Sequence, residues 1–189
     1  MPVAHYVYLL GIYLGDGHIV DAGRGVYRLR VACDLRHRNI ARDTAVAIEA
    51  VRGRPAAMHP RSSSRALDVS SYWKHWPCLF PQHGPGRKHE RRIALVDWQQ
   101  RIVDEQPHQL VRGLIHSDGW RGINRIRHPQ RTYEYARYEF TNRSADIRRI
   151  FCAACNALGV EWRVMKWDTI SVARRDSVAT LDRFVGPKR

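Results

Sequence analysis

One segment of this 189-residue chain occurs twice, and any fold must accommodate both copies. Leu10-Gly11-Ile12-Tyr13-Leu14-Gly15-Asp16-Gly17 returns as Arg112-Gly113-Leu114-Ile115-His116-Ser117-Asp118-Gly119, offset by 102 residues. Gly84-Pro85 returns as Gly186-Pro187 at the same offset of 102. Between these, Arg28–Cys33 parallels Tyr135–Phe140 at an offset of 107, and both stretches alternate as a half-buried strand does. Each strand leads into a helical apolar stripe, Ile40, Ala41, Thr44, Ala45, Ile48 and Val51 in one copy, Ile147, Ile150, Phe151, Ala154, Cys155 and Leu158 in the other. Three matches in one order describe a duplication with about five inserted residues.

The pattern predicts a helix over 3–14, strands over 17–22 and 26–34, and a helix over 37–52. Strands over 54–60 and 65–72 and a short helix over 74–80 complete the first half. The second half predicts helix 97–116, strands 119–127 and 132–141, helix 144–158, strands 161–167 and 169–173, and helix 175–184. Helix-strand-strand-helix-strand-strand-helix written twice is an α+β architecture with antiparallel sheets. The expected units are residues 1–81, a basic Gly/Pro-rich linker over 82–93, and residues 94–189.

Composition narrows the partner. The chain carries 32 basic and 18 acidic side chains, a formal charge of +14, and a pI near 10.4. That balance points to a polyanion, of which nucleic acid is the commonest. The charge is shared, +7 in residues 1–100 and +7 in residues 101–189, unlike a basic arm or tail. Twenty-eight of the cations are Arg, which forks onto phosphates and guanine edges; GC-rich coding is the plainer explanation. Val7–Leu14, the longest apolar stretch, is far short of the ~20 residues of a membrane span and has no basic residue before it, as a signal peptide would. Four cysteines in an ordinary core suggest a reducing compartment, and a cytoplasmic location is expected. No phosphate loop or dinucleotide fingerprint appears, so a nucleotide cofactor is not expected.

Residues four apart share a helix face, so Gly11 with Gly15, and Gly113 with Ser117, form smooth stripes that let two helices approach closely. Packed together, they bring Asp16 and Asp118 out side by side at C-terminal helix ends. The helix dipole is negative there, and like charges raise each other's pKa. A bound cation would offset that cost, Mg²⁺ being the natural one. The plainer alternative is that each Asp opens an Asp-Gly turn.

Residues 9–17, Leu-Leu-Gly-Ile-Tyr-Leu-Gly-Asp-Gly, and 110–119, Leu-Val-Arg-Gly-Leu-Ile-His-Ser-Asp-Gly, resemble the motifs of the LAGLIDADG homing endonucleases in their single-chain, two-motif form. The likeness extends to the element order of both halves. Leu14 and His116 depart from it, standing where that family often has a first acid. The resemblance implies a pseudo-twofold saddle with motif helices Gly11, Gly15, Gly113 and Ser117 at the interface, sitting on double-stranded DNA. Asp16 and Asp118, with Gly15 and Ser117, would hold Mg²⁺ or Mn²⁺ and drive cleavage of both strands, Ca²⁺ supporting binding alone. It also implies a basic residue after each half, matching Lys88 and Lys188, with Lys74 as the alternative. A polar residue ending each second strand matches Asp34 and Thr141 or Asn142.

An apolar face and an Arg-rich face would suit a β-ribbon in the major groove, although alternating charge is often just a solvated face. The candidate DNA contacts in the first half are Arg24, Arg28, Arg30, Arg61, Arg65 and, in the linker, Arg87. In the second half they are Arg121, Asn124, Arg125, Arg127, Arg131, Arg137, Arg163, Lys166 and Arg174. Cys152 and Cys155 form a CxxC inside a helix stripe, which reads as core, not zinc. Trp73, Trp76, Trp98, Trp162 and Trp167 read as core or interface. The expected activity is that of a monomeric, site-specific DNA endonuclease. The alternatives are a non-catalytic DNA-binding regulator on the same scaffold and an RNA maturase.

Overall fold

The computed structural model describes residues 2–62, 64–186 and 188. In the first half, helix α1 (Val3–Asp16) is followed by strands β1 (Gly17–Asp21) and β2 (Tyr27–Asp34), then helix α2 (Arg38–Arg52). Strands β3 (Ala57–Pro60) and β4 (Ala66–Trp73) and the short helix α3 (Trp76–Leu79) complete it. The second half runs α4 (Asp97–Glu105), α5 (Pro107–Asp118), β5 (Gly119–His128), β6 (Arg131–Thr141), α6 (Ala145–Ala157), β7 (Arg163–Lys166), β8 (Thr169–Val172) and α7 (Arg175–Asp182). Each half builds one four-stranded antiparallel sheet, ordered β1-β2-β4-β3 and β5-β6-β8-β7. No helix among the described residues is long and apolar enough to cross a membrane.

The expected helix over 97–116 is two helices. Pro107 has no N–H to donate, and its ring collides with the carbonyl one turn back, so α4 stops and α5 starts on Pro107. The resulting bend lets α5 leave the linker side and lie against α1. The linker is pinned: Ile93 is buried and its N–H donates to Asp146 Oδ2 at 2.8 Å, while Gln82 Nε2 donates to Ala94 O at 2.8 Å and to Gln99 Oε1 at 2.5 Å.

Helix α1 is buried all round from Tyr6 to Leu14, as a helix with neighbours on every side must be. Its closest neighbour is α5. A Cβ on Gly11 would lie 2.6 Å from Leu110 O and 2.9 Å from the Cα of Gly113, and one on Gly113 would collide with Tyr8 O. Backbone meets backbone here, and only glycine fits.

In each sheet one face meets the helices. Leu29, Val31 and Cys33 of β2 and Tyr138 and Phe140 of β6 are buried against them. Cys152 and Cys155 belong to the same core. Trp76 is fully buried, but Trp167, expected inside, is 68% exposed at the β7–β8 turn. The second hairpin is much the longer. β5 has 10 residues and β6 has 11, against 5 and 8 in β1 and β2.

Candidate active site and nucleic-acid interface

Both motif helices end at an Asp-Gly step that turns straight into the first strand of its sheet. The two ends are adjacent: a Cβ on Gly15 would stand 2.9 Å from Asp118 Oδ2 and 2.5 Å from the Cβ of Ser117. Ser117 folds its hydroxyl back onto its own helix, donating to Gly113 O at 3.1 Å and Leu114 O at 3.0 Å. Gly15 is therefore the complement of Ser117 across the interface.

Two recesses flank this helix pair. The first, about 200 Å³, is lined by Asp16, Asp34, His37, His116, Ser117 and Lys188. The second, about 320 Å³, is lined by Gly15, Lys88, His89, Asp118, Asn142 and Arg143. The lysines are crossed with respect to the halves. Lys88, which follows the first half, lies in the recess of Asp118. Lys188, which ends the second half, lies in the recess of Asp16. Seen from the lysines, Lys88 feels Asp118 more strongly than Asp16, and Lys188 feels Asp16 more strongly than Asp118. Asp16 itself feels Lys88 more than Lys188, so the crossing rests on which recess each lysine lines.

Crowding by the protein pushes the Asp16 carboxyl up to about 6, helped by the charge of Asp118 and opposed by the two lysines. Its side chain still reaches solvent at the mouth of the recess. Burial also raises the Asp118 carboxyl, and the bond from Asn142 and the two lysines oppose it. Burial brings the Lys88 ammonium down to about 8 and lowers Lys188, the acids resisting in both cases. Each lysine also serves a helix end. Lys88 Nζ donates to Tyr13 O, to Leu14 O at 3.1 Å and to Gly15 O at 3.0 Å, and Lys188 Nζ donates to Gly119 O. A cation on these last carbonyls offsets the negative end of the dipole. The Gly15 carbonyl, expected beside a metal, thus already accepts from Lys88.

Between the two polar candidates ending β6, the geometry selects Asn142. Its Nδ2 donates to Asp118 Oδ2 at 2.6 Å while its Oδ1 accepts from Ser144 N at 2.8 Å, so the carboxylate is held by an amide that is itself fixed. Thr141 turns instead to Thr169, with oxygens 3.0 Å apart. Asp34 lines the Asp16 recess, but its oxygens are engaged by Arg36, the closest contact being 2.6 Å from Nη2. Lys74 has no part in either recess.

His116 was not singled out for the site by sequence. Its Nε2 lies 2.8 Å from Val185 O and its Nδ1 3.0 Å from the Tyr8 hydroxyl. A carbonyl can only accept, so Nε2 carries the proton and Nδ1 accepts from Tyr8. Burial brings the imidazole down to about 4 and keeps it neutral. The available signal was a polar residue at a buried motif position where the first copy has Leu14.

The open faces of the sheets follow from strand pairing, because directly opposed residues point the same way. In the first sheet His18, Arg28 and Arg30 share the open face with Ser70, Asp68 and Tyr72. Arg28 Nη2 donates to Ser70 Oγ at 3.4 Å and its guanidinium lies 5.6 Å from the Tyr72 ring centre. Arg61 reaches the same face but is neutralised by Asp68, 2.6 Å away. Arg24 sits with positive φ in the Gly-Arg-Gly turn joining β1 and β2, Arg65 is exposed ahead of β4, and Arg87 is exposed in the linker 3.9 Å from Glu90.

In the second sheet Asn124, Arg131 and Arg137 share the open face with Trp120, Tyr133 and Tyr135. Arg163 and Lys166 pair with Ser171 and Thr169 on that side. Three expected DNA contacts fall on the other face. Arg121, Arg125 and Arg127 pair with Tyr138, Glu134 and Thr132 on the helix-side face. Arg121 is clamped by Asp182 of α7 at 2.6 and 2.8 Å, and Arg125 by Glu134 at 2.6 Å. Period-two alternation separates the two faces of β5 without saying which is outward. Arg174, at the start of α7, is paired with Glu161.

No protein-family model matches the sequence, and no curated protein does. Solved structures do match in fold. The I-SmaMI LAGLIDADG homing endonuclease bound to cleaved DNA superposes with a TM-score of 0.58 at 8% identity, over 96% of this chain and 83% of that one. The homing endonuclease I-DmoI in complex with DNA and Ca superposes at 0.59 with 16% identity, over 98% and 91%. The N-terminal LAGLIDADG domain of DUF199/WhiA superposes at 0.60 with 9% identity, over 100% and 84%. The chain has the fold of the LAGLIDADG homing endonucleases. Two of these neighbours are described as endonucleases and the third only by its domain, so activity must be argued from the site.

Proposed function

We propose that this chain is a monomeric, divalent-metal-dependent DNA endonuclease that cuts both strands at a specific site. The observation that carries this reading is the pair of crowded carboxylates, Asp16 and Asp118, each facing the lysine of the opposite half. Two acids pushed above their ordinary range at negative helix ends are a costly arrangement that a cation relieves. Among the described residues no three His, Cys, Asp or Glu are placed to hold a metal ion together. The donor set therefore suits Mg²⁺, which takes one or two carboxylates and completes its shell with water and phosphate oxygens. When bound, such a metal supplies Lewis-acid polarisation of the phosphate and an acidified water.

The chain's own groups account for the rest. Asp16 and Asp118 hold negative charge at the midline, where they can share cations. Asn142 fixes the rotation of Asp118. Lys88 and Lys188 each offer a partly buried ammonium to a scissile phosphate, where charge developing on oxygen is stabilised most strongly away from bulk water. The open faces carry Arg30, Asn124, Arg163 and Lys166, fitted to base edges and phosphates in the major groove.

The test is incubation with a randomised plasmid library with and without Mg²⁺. Asp16→Asn and Asp118→Asn should each lower double-strand cleavage by on the order of 1,000-fold while binding in Ca²⁺ persists. Tight, sequence-specific binding without cleavage by the unaltered chain would leave a DNA-binding regulator as the function. Cleavage of both strands at the normal rate by either variant would remove the acids from the mechanism.

A further inference from the structure

We infer that His116 is a positioning residue for Lys188: it ties the C-terminal segment to the motif-helix pair and so sets the cation of the Asp16 recess. This rests on the endonuclease reading for its consequence and on the geometry for its existence. His116 is 4% exposed and sits one turn from the end of α5, between the two halves. It makes a continuous chain of hydrogen bonds, from the Tyr8 hydroxyl on α1 to Nδ1, and from Nε2 to the Val185 carbonyl beyond α7. Val185 is itself buried, and its N–H continues the last turn by donating to Leu181 O at 2.9 Å. Three residues further on, Lys188 reaches Gly119 O and lines the recess of Asp16, which His116 also lines.

The first half does the equivalent job differently. At the position of His116 it has Leu14, fully buried, and Lys88 is held instead by three carbonyls of α1 with its Nζ 4.7 Å from the Tyr13 ring centre. Near it Arg91 donates to Gln82 O within the linker. Among the described residues Lys188 donates to one carbonyl, that of Gly119, and it follows a two-turn helix. The buried bridge from Tyr8 through His116 to Val185 supplies there the anchorage that three carbonyls give Lys88.

The experiment uses the full chain and its selected target, with the two DNA strands labelled separately. His116→Asn keeps an amide near the Nδ1 position and loses reach to Val185; His116→Gln restores the reach. His116→Asn should slow one strand by about tenfold and leave the other unchanged, giving nicked circles. The slowed strand should be the one slowed by Lys188→Met and not the one slowed by Lys88→Met. His116→Gln should cut both strands at comparable rates.

Amide exchange, measured without metal or DNA, should quicken about tenfold over residues 183–186 in His116→Asn and stay near the unaltered rate in His116→Gln. Equal slowing of both strands, slowing of the Lys88 strand, or unchanged exchange overturns the inference. Should His116→Asn fail to fold, a strand bias in His116→Gln would do the same. If the unaltered chain cuts no DNA, the endonuclease reading falls, and exchange alone decides whether the tether exists.

Discussion

The two halves share a blueprint and differ where they touch chemistry. At matching positions the first half has Leu14, Gly15 and a short hairpin, and the second has His116, Ser117 and a longer hairpin. Gly15 and Ser117 are complementary differences, since the space that one lacks is filled by the other. The acids are conserved between the copies but their supports are not. Asp118 is held by Asn142 at 2.6 Å, whereas the corresponding strand end beside Asp16 offers Asp34, already occupied by Arg36. Backbone proximity at the helix interface demands near-identity, and everything one shell away has been free to diverge.

The comparison can be broken most severely at the lysines. Lys88→Met and Lys188→Met should each slow a different single strand, by about 100-fold, which strand-resolved cleavage measures. Slowing of the same strand by both would dissolve the crossed assignment. Next in size is the helix interface. Gly11→Ala and Gly113→Ala each force backbones apart and should cost about 2–3 kcal/mol, whereas Ser117→Gly should cost only about 1 kcal/mol. Urea titrations giving equal losses at all three positions would show that the close approach is not what holds the halves together.

Smaller effects sharpen the sheet faces. Arg30→Ala and Asn124→Ala should weaken specific DNA binding by about 1–3 kcal/mol and relax preference at one base each. Arg125→Ala, on the helix side and paired with Glu134, should leave preference untouched. The smallest effect concerns Asp16 alone. Its carboxyl titrates higher folded than unfolded, so in metal-free protein its contribution favours the protonated state and is lost as pH rises from about 4 to about 6. Asp16→Asn should therefore melt with the unaltered chain near pH 4 and be more stable above pH 6, by about 1 kcal/mol after allowing for solvent at the recess mouth. A constant difference across that window would mean that the carboxyl is not perturbed.

Periodicity reports local structure well, and the duplication supplied most of the fold. Strand and helix positions in one copy corroborated those in the other, down to the Asp-Gly steps. The break at Pro107 was visible as a residue but masked by the apolar stripe on both sides of it. What sequence pattern could not reach was relation across the molecule. Alternation in β5 separates Arg121, Arg125 and Arg127 from Trp120 and Asn124, yet the outward face depends on where α7 packs. The choice of Asn142 over Thr141 rests on which side chain a helix end happens to meet. The crossing of Lys88 and Lys188 and the bridge through His116 bring together residues 30 or more positions apart in the chain.

The crossed lysines also define the unit that can be recombined. A graft that exchanged only residues 94–189 for another such half would bring a foreign cation to Asp16 and leave Lys88 facing a foreign acid. Under the proposed function, each cutting centre would thus be inherited jointly from both copies. A chimera with new sequence preference would keep its chemistry only if the tail carrying Lys188 stayed with the Asp16 whose recess it lines, making the seam between halves a poor place to splice.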